Sequence, residues 1–148
     1  MDRMNSKIGS LVAFMFAVAG VFFMVKNNFI FSLNPVAITI QICACVLMIW
    51  ARLTFGKRSF HAIANTTEGK LITSGPYKYF RHPIYASLIY FFWSCIITYH
   101  SKEAVVAVLI ITVGLYARML FEESFLMETY PEYASYSQRT KRIIPFLL

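Results

Sequence analysis

The sequence predicts an all-α integral membrane protein: a bundle of four transmembrane helices with a cytoplasmic loop and a C-terminal amphipathic helix. Three observations carry this prediction. First, the 148 residues are 58% hydrophobic and only 14% charged, where a soluble domain averages about 25% charged. That excludes a disordered chain. It also argues against a soluble nucleic-acid module, because long uncharged stretches separate the basic residues. Second, the charges bound four apolar runs. Third, the fourteen Lys and Arg residues, twice the seven Asp and Glu, fall almost entirely on one side of the helices that those runs define. The length suits one domain, residues 1–148.

The runs are taken in chain order. Ile8 to Val25 carries no charge and lies between Lys7 and Lys26, predicting a helix over 8–26. Ala17-Val18-Ala19 resembles a signal-peptide cleavage site, but apolar residues continue past it, so the segment reads as an uncleaved anchor. Gly9, Ala13, Ala17 and Gly20 recur at roughly helical spacing, as close helix packing in lipid favours. A turn around Asn27, Asn28, Asn34 and Pro35 leads to a second helix over 29–51. Neither apolar run contains a charged residue, and both helices read as scaffold. Residues 52–82 form a loop long enough to be functional. Pro83 to Tyr99 predicts a third helix over 83–99. After a hairpin at His100 to Glu103, a fourth spans 104–121, with Arg118 snorkelling to the interface. A bilayer core needs about 20 apolar residues as helix. The tail, 122–148, is amphipathic and aromatic. The cysteines, Cys43, Cys45 and Cys95, lie in apolar stretches and read as small core residues, with no disulfide framework or metal motif.

Four spans place the N-terminus, the middle loop and the tail on one side. That side holds twelve Lys and Arg residues, against Lys26 and Lys102 on the other. The asymmetry predicts cytoplasmic termini and a cytoplasmic middle loop. The minimal chain suggests a prokaryotic inner membrane. A bundle this thin is compatible with an oligomer.

Three groups of residues carry chemistry. The first is Leu71 to Tyr85. Gly75-Pro76 is a turn signal. Pro83 suits the first turn of a helix, and His82 before it is pushed out of the α region. Free N–H groups at that helix start favour an anion, with Arg81 and His82 beside them. The second is Glu122-Glu123, just after the fourth run and close to hydrocarbon, where acids are costly and usually functional. Arg118 is an i,i+4 partner for Glu122; Glu123 has none nearby, which marks it as the functional carboxylate. The third is Tyr130 to Arg139, where Pro131 starts a short helix and Tyr133 and Tyr136 share a face. Each group also has a plainer reading: an interfacial helix start with an aromatic belt, a salt bridge, and an amphipathic helix on headgroups.

Together the groups resemble the isoprenylcysteine carboxyl methyltransferase family and, more widely, the phospholipid methyltransferase-like membrane enzymes. The matching positions are Leu71, Gly75, Pro76, Tyr77, Arg81, His82, Pro83, Tyr85, Glu122, Glu123, Tyr133, Tyr136, Arg139 and Pro145, about half the chain. Ala86 stands where a glycine is usual, and Tyr130-Pro131 where Phe-Gly is usual. The resemblance implies S-adenosylmethionine as methyl donor, held by Gly75, Pro76, Tyr77, His82, Pro83, Tyr85, Glu122 and Glu123. It implies Glu123, Arg139 and Arg81 as catalytic residues. Tyr133, Tyr136 and Arg139 would bind a lipid-borne or small hydrophobic acceptor, and no metal is involved. A carboxylate acceptor needs no base; an amine or thiol would need Glu123 or His82 as base. Two other readings of the residues stay open. One is an NADPH-dependent enzyme of the sterol-reductase type, which shares Arg-His-x-x-Tyr. The other is a non-enzymatic membrane scaffold or lipid-binding protein.

Overall fold

The computed structural model describes residues 3–56 and 71–143. Among them are five α-helices: α1 (Arg3–Lys26), α2 (Pro35–Phe55), α3 (Pro83–Thr98), α4 (Lys102–Thr129) and α5 (Tyr133–Arg139). A 3-10 turn spans Gly75–Lys78, and an isolated parallel bridge joins Phe80 to Lys141. Helices α1, α2 and α4 are long and apolar enough to cross a membrane. Helix α3 is apolar but has 16 residues, or about 24 Å of rise.

The spans form an open row rather than a closed bundle. Helix α1 packs along α4, α4 meets α3, and α3 packs along α2. Glycines set the first contact. A Cβ on Gly114 would lie 2.7 Å from the Ala13 carbonyl oxygen and 2.9 Å from the Ala17 nitrogen. A Cβ on Gly20 would meet Ile111, and one on Gly9 would meet the Phe121 ring. These pairings rise along α1 as they fall along α4, so the helices are antiparallel. The small-residue stripe read from the sequence is thus a helix crossing, where close backbone approach gains dispersion contact in lipid. Behind it lies a core of Met24, Phe92, Cys95, Val108, Ile111, Leu115 and Met119. Phe22, Leu53 and Val113 remain outside it, on surfaces suited to hydrocarbon.

The element boundaries differ from the sequence reading in instructive ways. Helix α2 begins at Pro35 rather than residue 29. The Asn34 side chain accepts from the Val36 and Ala37 N–H groups at 2.9 and 3.3 Å, capping the start. Helix α4 does not stop at 121 but runs to Thr129. The residues Glu-Glu-Ser-Phe-Leu-Met-Glu include strong helix formers, and the chain turns only where Tyr130 precedes Pro131 and leaves the α region. Glu122 and Glu123 therefore lie inside a helix, more than a turn before its end. Helix α5 starts at Tyr133, two residues after Pro131. Of the cysteines, only Cys95 is in the core; Cys43 and Cys45 are exposed on α2.

Candidate functional site

The site forms where the start of α3, the last third of α4 and the tail meet. Its first part is the turn before α3. Gly75 has φ +58°, and a Cβ there would lie 2.6 Å from Thr54 Oγ1 at the end of α2. Both features require glycine. Pro76 and Tyr77 are buried, and the Tyr77 ring packs on Phe55. As expected, Pro83 opens α3, with His82 before it outside the α region at φ −128° and ψ 59°.

The tail is tied back onto this turn. The Tyr136 hydroxyl donates to the Tyr77 carbonyl at 2.7 Å. The Arg81 N–H donates to the Lys141 carbonyl at 2.7 Å, and the His82 N–H to that of Arg142 at 3.2 Å. The Tyr90 hydroxyl reaches the Ile143 carbonyl at 2.6 Å. Residues 140–143 therefore run beside 80–82, and α5 tucks Tyr133 and Tyr136 inward. Burial pushes the Tyr136 hydroxyl up to about 12, with the Thr140 side chain and the Arg81 charge opposing the rise. Burial also raises Tyr77 and Tyr133 well above the ordinary phenol value, so all three stay protonated at neutral pH.

Two linked ion clusters occupy the junction. In the first, buried Glu123 faces three donors. Arg142 Nη2 and Nε lie 2.8 and 3.0 Å from its Oε2. His82 Nε2 is 3.2 Å from Oε1, and Arg81 Nη1 is 3.6 Å from the same oxygen. An ionised carboxylate only accepts, so His82 Nε2 carries the proton in this contact. The carboxylate holds Arg142 above its ordinary value, chiefly by accepting its hydrogen bonds. In the second cluster, the Tyr85 hydroxyl donates to Glu122 Oε1. Arg118 Nε lies 2.7 Å from the Tyr85 oxygen and 3.2 Å from Glu122 Oε1. The Arg118 guanidinium also sits 4.9 Å above the Phe14 ring of α1. His82 joins the clusters: Nδ1 is 3.9 Å from Glu122 Oε2, and its ring stacks on Tyr85.

Most of the residues singled out in the sequence thus converge. Arg81, His82, Tyr85, Glu122 and Glu123 share the clusters; Gly75, Pro76, Tyr77 and Pro83 build the turn beneath them; Tyr133 and Tyr136 pin the tail. The i,i+4 pairing of Arg118 with Glu122 is present. Arg139 stands apart. It is exposed, and its Nε donates to the Ser135 carbonyl one turn back. Arg142 holds the carboxylate instead. It is visible in the sequence only as one of several tail cations, and no spacing rule links it to Glu123. Pro145 lies outside the described residues. Arg81 Nε and the Tyr133 hydroxyl are buried without a well-formed hydrogen bond among the described residues, although the Arg81 side chain lies close enough to Tyr133 to oppose the rise that burial causes. Such atoms cost free energy unless something else satisfies them. An apolar groove of about 560 Å³ between α1 and α4 is separate from the clusters, and no ionisable side chain lines it.

This arrangement offers carboxylates, guanidinium groups, an imidazole and phenols at one end of a set of apolar helices. It suits a polar ligand that meets an apolar one at the membrane surface. Comparison with known proteins agrees. The family model for phospholipid methyltransferase matches residues 30–133, from before α2 to the first residue of α5 and including both glutamates. No curated relative and no solved structure matches. On the family match, the chain belongs to the phospholipid methyltransferase family.

Proposed function

We propose that this protein is an S-adenosylmethionine-dependent methyltransferase acting on a lipid-borne or small hydrophobic acceptor at the membrane. The observation that carries this reading is the double ion cluster, assembled from three separate segments at one end of long apolar helices. Four helices cross the membrane, α3 included, and both termini face the cytoplasm. The twelve-to-two distribution of Lys and Arg supports that orientation.

The residues fit the methyl donor chemically. Its amino-acid carboxylate needs cationic or N–H donors, and Arg81 keeps a buried Nε without a hydrogen-bond partner among the described residues. Its ammonium and ribose hydroxyls need acceptors, which Glu122 and Glu123 supply. Its sulfonium is attracted to aromatic faces such as Tyr77, Tyr85 and Tyr133. When bound, S-adenosylmethionine supplies an electrophilic methyl group. The chain's own part is to align the acceptor and exclude water. Arg81 and Arg142 orient an anionic acceptor. For an amine or thiol, His82 accepts the proton at Nδ1, because Nε2 already carries one in its contact with Glu123.

The test is calorimetric titration of detergent-purified protein with S-adenosylhomocysteine, with NADPH run alongside. We expect binding of the first and none of the second. Silence towards S-adenosylhomocysteine at millimolar concentration would end the proposal. Incubation of lipid extracts with labelled donor, followed by mass spectrometry of the labelled product, then identifies the acceptor.

A further inference from the structure

Helix α1 reads as scaffold in the sequence and precedes the residues that match the family model. Its cytoplasmic end nevertheless carries an unexplained hydroxyl. Ser10 is completely buried, and its Oγ has no hydrogen-bond partner among the described residues. A serine inside a helix ordinarily satisfies itself on its own backbone. Ser87, Ser94, Ser124, Ser135 and Ser137 all do so, each donating to the carbonyl three residues back at 2.6–2.9 Å. Ser10 does not.

Its position in the fold gives that difference meaning. Phe14 lies under Arg118. Ser10 is one turn before Phe14, and Glu122 is one turn beyond Arg118. Because α1 and α4 are antiparallel, both steps run in the same direction, by about 6 Å each. Gly114 lies between Ala13 and Ala17, so Ser10 is level with about Met119, within one turn of Glu122, on the flank of α1 that Phe14 presents to Arg118. Glu122 is the more open of the two glutamates, with its side chain 23% exposed against 6% for Glu123. The carboxylate and the hydroxyl oxygen both accept hydrogen bonds, and together they suit a group rich in N–H donors.

We propose that α1 forms a wall of the polar site and that the Ser10 hydroxyl, with Glu122, holds the ammonium of the bound methyl donor. Phe14 is a positioning residue that keeps the Arg118 guanidinium flat beside Glu122. This inference rests on the methyltransferase reading and assigns α1 a part in it.

The experiment compares wild-type protein with Ser10→Ala in detergent, using two probes. S-adenosylhomocysteine carries the ammonium; 5′-methylthioadenosine lacks the whole amino-acid portion. Ser10→Ala should weaken S-adenosylhomocysteine at least fivefold and change methylthioadenosine less than twofold. The ligand-free melting temperature should hold or rise, because an unsatisfied hydroxyl is removed. Phe14→Leu should show the same probe selectivity more weakly. S-adenosylhomocysteine affinity within twofold of wild type in Ser10→Ala, or equal losses for both probes, would overturn the proposal. If wild-type protein binds neither probe, the methyltransferase reading itself fails, and the two failures are thereby distinguished.

Discussion

Arg142 holds Glu123 through two nitrogens, Nη2 at 2.8 Å and Nε at 3.0 Å from the same carboxylate oxygen. The two residues are 19 apart in sequence and sit on different elements. The side-on contact fixes the plane of the carboxylate, and with it the Oε1 that faces His82 and Arg81. The tail is therefore part of the site and more than a membrane-surface appendage. Arg142→Ala should cost about 1–2 kcal/mol, less than for a fully buried pair because the Arg142 side chain is 35% exposed. It should also reduce S-adenosylhomocysteine affinity at least fivefold. Arg139→Ala should change both by little. Melting curves and calorimetry on the two variants would decide, and a larger loss in Arg139→Ala would invert the assignment.

His82 bridges the two glutamates, so its removal separates the clusters. His82→Ala and Glu123→Ala should each weaken S-adenosylhomocysteine at least tenfold without unfolding the protein. Circular dichroism checks the fold and calorimetry the affinity. Unchanged affinity in both variants would mean that the ligand binds elsewhere.

Tyr136 anchors the tail through the Tyr77 carbonyl. Its raised folded-state value, about 12 against about 10 unfolded, stabilises the fold fully below pH 10. That contribution is lost as the pH rises towards 12, because the unfolded chain gives up its proton first. Tyr77 and Tyr133 act in the same direction. Alkaline titration followed by tyrosine absorbance should therefore show unfolding and phenol ionisation together above pH 10. Tyr136→Phe should flatten that pH dependence and cost about 1 kcal/mol at neutral pH. Free titration of these phenols near pH 10 in folded protein would contradict the burial argument.

Gly114 permits the α1–α4 crossing. An added Cβ would press on the backbone of Ala13 and Ala17, which cannot rotate away. Gly114→Ala should destabilise the protein by about 1–3 kcal/mol. Gly9→Ala should cost less, because the obstruction is the tip of the Phe121 ring. Thermal unfolding in the same detergent would rank them, and equal stabilities would argue against the tight crossing.

The sequence alone determined the helical class, the apolar runs, the glycine-bearing face of α1, the proline start of α3 and most of the residues around the site. These are properties of periodicity, local chemistry and spacing within one element, as the Arg118–Glu122 pair shows. It misplaced the ends of α2 and α4, because helix formers and polar residues at a membrane surface permit either outcome. The cap at Asn34 and the break at Tyr130-Pro131 resolve them. Only the tertiary structure decided which cation meets Glu123, that the Ser10 hydroxyl is buried with no hydrogen-bond partner among the described residues, and that the spans lie in the order α1, α4, α3, α2. Each of these depends on groups distant in the chain brought together by helix crossing and by the tail's return. The underlying energies, close packing at glycines and pairing of buried charge, act through space and leave no periodic trace in the sequence.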